Sequence, residues 1–211
     1  MGRFGGMDQF MLNNLTGGRV IFLNGTSSSG KGSIAAALLE ILPGAYVHIG
    51  YDDLFGLRRS DAYFGADGFR LRVQDHDSAE PIAMEINPLA AHYFAGMHRA
   101  VAAFAAAGNN LIVDWVLWDE AWLRDFVALL RNQDVLFVGV RCPLPEVEKR
   151  ERERGDRMVG LARSQFAHVH AHARYDLEVD TSVATPTECA EQIAAFLAER
   201  QPIAFRRLNN A

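Results

Sequence analysis

Seven residues near the start of the chain have the types and the spacing of a phosphate-binding loop. They follow the apolar residues 20–23 and precede a helix-like stretch: Gly25, Thr26, Ser27, Ser28, Ser29, Gly30 and Lys31. Glycine at both ends lets the backbone curl so that successive N–H groups point inward, and the helix that follows adds its positive end. Lys31 supplies a mobile charge for the outer phosphates of a nucleotide. This order predicts a nucleotide site, and the alternative is a solvated turn.

The two residues after Lys31 differ in order from the full motif. Gly32 stands where the motif has Ser or Thr to bind Mg²⁺, and Ser33 follows one place late, a rotation of about 100° on a helix. We include both among the nucleotide-contacting residues. Asp114, directly after the apolar residues 111–113, has the pattern of an acid that holds Mg²⁺ directly or through water. We therefore predict Asp114 and Ser33 as metal ligands; the alternative for Asp114 is an ordinary strand end.

Two carboxylates, Asp52 and Asp53, directly follow the second predicted strand. At the edge of a parallel sheet, a carboxylate in this position would face the phosphate-binding loop. A kinase that acts on a hydroxyl needs such a group to orient the acceptor and to accept its proton. The alternative is a helix N-cap, a position that Asp favours. Position alone leaves both roles open for Asp52.

Four arginines lie close together after the fourth predicted strand and its helix. Alternating charge on a helix is usually a solvated face with internal ion pairs. This cluster, however, ends near Gly155, where a P-loop kinase would carry an arginine-bearing lid. Spacings of three and four residues make Arg150, Arg154 and Arg157 neighbours on one helical face, whereas Arg152 points elsewhere. We predict that Arg154 and Arg157 neutralise charge on a transferring phosphoryl group and that Arg150 contacts the nucleotide.

Three tryptophans, Trp115, Trp118 and Trp122, follow Asp114 within eight residues. Their position past the end of a predicted strand makes them candidates for the wall of an apolar acceptor pocket. Packing in the core is an equally open alternative for each of them, because large aromatic side chains dominate cores as well as binding surfaces.

These candidate residues require a scaffold that brings several strand ends together. Short apolar runs, typical of buried parallel strands, occur at 19–23, 45–49, 110–113, 135–140 and 177–179. Helical patterns follow them at 33–42, 88–107, 120–131, 143–154 and 186–200. This alternation predicts an α/β fold with a mainly parallel five-stranded sheet flanked by helices. Ligands of such sheets bind at the carboxyl ends of the strands.

The sequence predicts one domain with short additions. The domain spans residues 19–200, with an insertion at about 54–86 near the acceptor site and a lid at about 150–160. Residues 1–18 are expected to form a loosely ordered extension, and residues 201–211 a tail. A chain of 211 residues that is 49% hydrophobic is long enough for a substantial core of this kind.

Composition narrows the class of protein further. The formal net charge of −5 argues against a general nucleic-acid binder, which would carry a basic face. No apolar run is long enough for a membrane span or a signal peptide, and the two distant cysteines are expected to be reduced thiols. We expect a cytoplasmic protein with a small-molecule partner, and its exposed helices are compatible with a homodimer.

Several longer motifs resemble one family, the chloramphenicol 3-O-phosphotransferases and related small P-loop kinases. The likeness covers residues 19–197. The stretches that carry it are Ile21-Phe22-Leu23-Asn24-Gly25, Gly50-Tyr51-Asp52, Ile112-Val113-Asp114, Val138-Gly139-Val140-Arg141-Cys142, Arg154-Gly155-Asp156-Arg157 and Tyr175-Asp176-Leu177-Glu178-Val179-Asp180-Thr181.

The resemblance implies a P-loop NTPase fold of the nucleotide-kinase type and ATP-dependent phosphorylation of a hydroxyl, with an aspartate as the base. That role falls on Asp52, which matches by its distance from Gly50. The family has Ser directly after the loop lysine, where this chain has Gly32. A chloramphenicol-like antibiotic is the first candidate acceptor, which would make this a resistance enzyme. The alternatives are a nucleotide sugar, as in zeta-toxin-like kinases, a nucleoside, or a nucleotide-binding module without kinase activity.

Overall fold

The computed structural model describes residues 17–57, 60–64, 69–72, 83–155 and 159–210. Its strands are β1 Arg19–Asn24, β2 Tyr46–Gly50, β3 Phe69–Arg72, β4 Ala83–Ile86, β5 Asn110–Trp115, β6 Asp134–Arg141 and β7 Leu177–Asp180. Its α-helices are α1 Lys31–Ile41, α2 Tyr51–Phe55, α3 Pro88–Ala106, α4 Glu120–Leu129, α5 Leu144–Arg154, α6 Leu161–Phe166, α7 Pro186–Glu199 and α8 Ala204–Asn209. A 3₁₀ turn covers Asp61–Phe64. None of the helices within these residues combines the length and the apolar character needed to cross a bilayer.

Five strands form one parallel sheet in the order β2-β5-β1-β6-β7. The predicted five-stranded sheet is therefore confirmed: four strands are one or two residues longer than predicted, and β2 is shifted by one residue. Strand β1 is central, and the register pairs Leu23 with Asp114 on one side and with Val138 on the other. Because all strands run the same way, the phosphate loop and the residues that follow β2 and β5 meet at one edge of the sheet.

The sheet has a hydrophobic core on each face. Successive side chains of a strand point to opposite faces. Val20 and Phe22 therefore pack toward α3, α4 and α8, whereas Ile21 and Leu23 pack toward α1 and α7. All four side chains are fully buried. The continuous apolar run of β1 thus reflects burial on both faces, and it fixes the strand that carries the phosphate loop.

Predicted helix boundaries are confirmed where capping residues mark them. Asp119 accepts a hydrogen bond from Trp122 N at 2.9 Å at the start of α4, and Thr185 and Glu188 form a capping box at the start of α7. Helix α5 ends at Gly155, which has the left-handed backbone (φ 68°) of a helix C-cap. Both cysteines are buried and free, and burial raises the pKa of each thiol.

The predicted insertion at about 54–86 contains regular structure that the sequence analysis missed. Strands β3 and β4 pair in antiparallel fashion, with Phe69 opposite Ile86, and α2 and the 3₁₀ turn precede them. Mixed charge and several glycines obscure any period of two in this segment, which is why the pair was not predicted. Most of the predicted extension at 1–18 lies outside the described residues.

The predicted tail at 201–211 differs from the structure. Residues Ala204–Asn209 form helix α8, and the Phe205 ring packs 5.9 Å from Phe22 and 5.1 Å from Phe137, measured between centroids. The Asp176 carboxylate accepts hydrogen bonds from Ile203 N and Ala204 N at 2.7 and 2.8 Å, which satisfies the exposed donors of the helix start. A six-residue helix capped from a distant segment has no local sequence signal.

Candidate active site

The phosphate loop connects the carboxyl end of β1 to the first turn of α1. Two of its positions require glycine. A Cβ on Gly25 would lie 2.6 Å from the carbonyl oxygen of Val140, and Gly30 has a φ of 93°. Ser28 also has a positive φ of 59°, which tightens the curl. The curled backbone expected of a phosphate cradle is therefore present between strand and helix.

Two hydroxyls of this loop are buried. Among the described residues, neither Ser28 Oγ nor Ser29 Oγ has a hydrogen-bond partner. Buried hydroxyls without partners cost free energy, and an anion seated in the loop would relieve that cost. Both side chains therefore fit a loop that is completed by a ligand.

Lys31 and Asp114 form the charged floor of the site. The Lys31 ammonium donates to Thr26 O at 2.9 Å and lies 3.5 Å from Asp114 Oδ1. The Lys31 side chain is 7% exposed and that of Asp114 19% exposed, so both charges are largely withdrawn from bulk water. Charges in such a setting act on one another and on a ligand more strongly than surface charges do.

Gly32 and Ser33 are both exposed at the start of α1, and both line the same cavity. A Cβ built on Gly32 would lie 3.4 Å from Asp114 Oδ2. Position 32 therefore faces the carboxylate predicted to hold Mg²⁺. The predicted role of Ser33 as a metal ligand stays a prediction.

The two neighbouring aspartates have different partners. Asp53 Oδ2 accepts a hydrogen bond from Gly50 N at 2.7 Å, at the start of α2. Helix α2 begins at Tyr51 with Gly50 as its N-cap, so the N-cap role that the sequence left open for Asp52 is not observed. Both residues are exposed and line the cavity. The role of Asp52 as a base stays a prediction.

One cavity of about 680 Å³ brings the predicted residues together. The phosphate loop, Lys31, Asp114, Asp52 and Arg154 all line it. Aromatic and apolar side chains form another part of its wall, namely Tyr51, Phe55, Val116, Trp118, Trp122 and Leu161. Trp115 is fully buried in the core and does not belong to this lining. Trp118 and Trp122 therefore line the cavity, Trp122 also belongs to the buried core, and Trp115 lies in the core alone.

The three arginines predicted for the lid, Arg150, Arg154 and Arg157, differ in their surroundings. Arg154, the last residue of α5, lines the cavity. Arg150 is not among the lining residues: its guanidinium binds Thr181 Oγ1 at 3.0 Å, Thr181 O at 2.9 Å and Glu146 Oε1 at 3.0 Å. Arg157 lies outside the described residues. Direct contact of any of the three with a nucleotide stays a prediction.

Thr181 connects the lid helix to the phosphate loop. Its hydroxyl donates to Ser29 O at 2.8 Å and accepts from Arg150. A Cβ on Gly30 would lie 3.3 Å from Thr181 Cγ2, so the threonine also packs closely under the loop. Arg150 thus acts on the loop through Thr181.

A buried polar network supports the start of the loop. Asn24, the last residue of β1, donates from Nδ2 to Val169 O at 2.7 Å and to the Tyr175 hydroxyl at 2.8 Å, and its Oδ1 accepts from Leu117 N. His170 Nδ1 lies 2.6 Å from the same hydroxyl. Burial, with a smaller contribution from the Arg141 charge, lowers the pKa of His170 to about 4. Burial raises the pKa of Tyr175, so this network is uncharged at neutral pH.

Sequence reasoning missed two polar residues of the cavity, His48 and Gln165. His48 lies two residues before Gly50 on β2, so the period of a strand could have placed it on the same side as Gly50. Its Nε2 is buried without a partner among the described residues. Gln165 belongs to α6, a six-residue helix that the sequence pattern did not predict, and its Oε1 accepts from Ser27 N at 2.5 Å.

Comparison with protein families gives a match across most of the chain. Residues 18–198 match the family described as "Chloramphenicol phosphotransferase-like protein". A relative from Mycobacterium tuberculosis (strain ATCC 25618 / H37Rv), named a candidate O-phosphotransferase, is 33% identical over 198 residues, which cover 90% of this chain and 88% of the relative. A second relative, from strain CDC 1551 / Oshkosh, matches equally.

Solved structures with the same fold include several kinases. The APS kinase of Mycobacterium tuberculosis in complex with AMPPNP and APS has a TM-score of 0.58 at 17% identity, covering 87% of this chain and 99% of that one. The tunicamycin resistance protein of Deinococcus radiodurans has a TM-score of 0.57 at 22% identity, covering 88% and 98%. A gluconokinase from Sinorhizobium meliloti 1021 has a TM-score of 0.54 at 15% identity, covering 94% and 99%.

The predicted P-loop kinase fold is confirmed by these structures, and the predicted family by the sequence match. The match also identifies the chain as an enzyme of the kinase or phosphotransferase type. The chain belongs to the chloramphenicol phosphotransferase-like family.

Proposed function

We propose that this protein transfers the γ-phosphoryl group of ATP to a hydroxyl of a small molecule that has an apolar or aromatic body. The observation that carries the proposal is that one and the same cavity is lined by the phosphate loop, Lys31, Asp52 and an aromatic wall. Donor-binding and acceptor-binding chemistry therefore share one space, as in-line transfer requires.

In the proposed reaction, the acceptor oxygen forms a bond to the γ-phosphorus while the bond from that phosphorus to the β-phosphate oxygen breaks, which leaves ADP. The hydroxyl proton passes to Asp52, whose carboxylate is the proposed general base. Lys31 and the loop N–H groups stabilise charge on the outer phosphates, and Arg154 adds charge from the lid. Arg157 is proposed to share this role on the basis of the sequence pattern.

Mg²⁺ fits the residues present. It is usually bound by one or two carboxylates together with substrate phosphates. Asp114 Oδ2 faces position 32, within the cavity that the phosphate loop lines. We propose that Asp114 holds the ion, with Ser33 as the hydroxyl available on α1. When bound, the ion would offset negative charge on the phosphates.

The cavity wall favours one class of acceptor. Among the described residues, Tyr51, Phe55, Trp118 and Trp122 line the cavity together with Asp52 and Asp53. Such a surface suits an apolar or aromatic molecule that carries a hydroxyl better than a highly charged one. A chloramphenicol-like antibiotic is the first candidate, and the resemblance in fold to a tunicamycin resistance protein supports antibiotics as a group to screen. A nucleoside or nucleotide sugar is the alternative acceptor.

The test is an ADP-release screen of hydroxylated antibiotics, sugars and nucleosides, run with the wild type and with Asp52→Asn. We expect turnover with an antibiotic-like alcohol and a loss of about 10²–10⁴-fold in kcat in Asp52→Asn, because a general base contributes about that much. ATP binding should persist in the variant.

Asp53→Asn is the matched control, since it keeps an oxygen for the Gly50 N–H and therefore the hydrogen bond at the start of α2. Full turnover in Asp52→Asn would show that another group takes the proton. ATP binding with no turnover across the panel would favour an acceptor of a different class.

A further inference from the structure

Gln165 binds the backbone of the phosphate loop. Its Oε1 accepts a hydrogen bond from Ser27 N at 2.5 Å, and the side chain lines the cavity although the residue is only 5% exposed. The Ser27 nitrogen belongs to the same peptide unit as Thr26 O, which accepts from the Lys31 ammonium at 2.9 Å. Gln165 and Lys31 therefore hold the two ends of one peptide in the loop.

The position of Gln165 is fixed from the lid side. The buried Glu151 carboxylate of α5 accepts from Gly160 N at 2.7 Å and from Ala162 N at 2.8 Å, at the start of α6. One helical turn later, Gln165 O accepts from Val169 N, and Val169 O in turn accepts from Asn24. Helix α6 is thereby joined to α5 at one end and to the end of β1 at the other.

These contacts determine the orientation of the amide. A backbone N–H can only donate, so the oxygen of the Gln165 side chain must face Ser27. The NH₂ group is then directed away from Ser27, and among the described residues it has no hydrogen-bond partner. A donor on a nearly buried side chain in the wall of a cavity is placed to serve a ligand with acceptor atoms.

We propose that Gln165 contacts the substrate, its Nε2 donating a hydrogen bond to the terminal phosphoryl group of the bound nucleoside triphosphate. The inference rests on the proposed function. We choose the terminal phosphoryl group because Gln165 contacts the same peptide unit, Thr26–Ser27, as Lys31 does. In loops of this kind the lysine ammonium binds the outer phosphates. A neutral donor here adds a contact to the γ-phosphoryl oxygens that ADP cannot make.

The experiment compares the affinities of AMPPNP and ADP, each with Mg²⁺, by titration calorimetry of the full chain. Gln165→Met keeps the length of the side chain and removes both polar atoms. Gln165→Glu keeps an oxygen for Ser27 and loses the donor. Gln192→Met, on an exposed position of α7, is the matched control.

We expect Gln165→Met to weaken AMPPNP binding by about tenfold or more, since a hydrogen bond to a charged group contributes that much, with ADP affinity within about twofold of wild type. Gln165→Glu should weaken AMPPNP further because it adds a negative charge beside the phosphates. Its melting temperature should stay near that of wild type because the Ser27 bond is kept.

Two results would overturn the inference alone. Equal losses of AMPPNP and ADP in Gln165→Met would make the residue a support for the loop without a contact to the ligand. A wild-type ratio of the two affinities in Gln165→Glu would mean that the amide donates nothing, and this result decides the matter if Gln165→Met fails to fold. A wild type that binds neither nucleotide would instead remove the proposed function, and this inference with it.

Discussion

The two sides of the cavity are built in different ways. The donor side is mainly backbone: one loop between β1 and α1, fixed by the close packing of Gly25 on β6 and by the bond from Thr181 to Ser29 O. The acceptor side is made of side chains from α2, the segment after β5, and α4. Backbone recognition of phosphate can be encoded in seven consecutive residues. An acceptor pocket for an apolar molecule is made of side chains from several segments, which come together only when the chain folds.

The substitution with the largest expected effect on this difference between the two sides is on the donor side. Lys31→Met removes the ammonium that lies between Thr26 O and Asp114. We expect kcat/KM for ATP to fall by about 10²–10³-fold, the usual cost of one electrostatic donor, with acceptor affinity nearly unchanged. Initial-rate kinetics with each substrate varied would measure both.

Lys149→Met, at the chain's other lysine, is the matched control, because that residue is exposed on α5. An equal loss of acceptor affinity in Lys31→Met would mean that the two sides of the cavity are not independent.

A smaller effect is expected on the acceptor side. Trp118→Ala removes a half-buried ring from the cavity wall. We expect the KM for the acceptor to rise by about tenfold and the KM for ATP to change little. Trp115→Ala should act differently, costing about 3–5 kcal/mol of folding stability because that ring is fully buried. Steady-state kinetics and thermal denaturation of both variants distinguish the two roles. If Trp118→Ala changed the affinity for ATP as much as that for the acceptor, the donor and acceptor sides of the cavity would not be independent.

The same contrast explains what the sequence could predict. The five strands, the phosphate loop and Asp114 follow from local patterns, because β1 is apolar throughout and glycine is needed at positions 25 and 30. Gln165 and Glu151 could not be identified in this way. Their importance depends on contacts between α5, α6 and the loop, and α6 has no cap or long amphipathic pattern of its own. The hydrogen bond from Gly50 N to Asp53, at the start of α2, likewise could not be predicted from the sequence.

A change of pH should affect the buried polar network of Asn24, Tyr175 and His170, which supports the start of the phosphate loop. Burial lowers the pKa of His170 to about 4 in the folded protein, whereas an unfolded histidine titrates near 6.5. Between these values the unfolded chain binds a proton that the folded chain does not, so stability falls as the pH drops from about 6.5 toward 4.

Because the ring is partly in contact with solvent, we expect a loss on the order of 1–2 kcal/mol. Melting temperatures measured across this range would record it, and His170→Asn should flatten the dependence. An unchanged slope in that variant would assign the effect to other groups.

The smallest expected effect concerns the one position where the donor loop departs from its motif. Gly32→Ser would direct a hydroxyl toward Asp114, since a Cβ there lies 3.4 Å from Asp114 Oδ2. We expect nucleotide binding to need several-fold less Mg²⁺, because a hydroxyl at this point can serve the ion together with the carboxylate. Titration of ATP affinity against Mg²⁺ concentration measures this change.

Gly32→Ala is the control for the loss of glycine, because it improves the helix without adding a hydroxyl. Ser33→Ala tests whether the hydroxyl that follows one residue later already binds Mg²⁺. If Gly32→Ser changes nothing while Ser33→Ala weakens Mg²⁺ dependence, Ser33 already supplies the hydroxyl, and the inverted order of these two residues is a local rearrangement of a complete site. If Ser33→Ala is silent and Gly32→Ser tightens binding, the donor side relies on Asp114 and water for its metal, and its backbone cradle carries more of the nucleotide affinity.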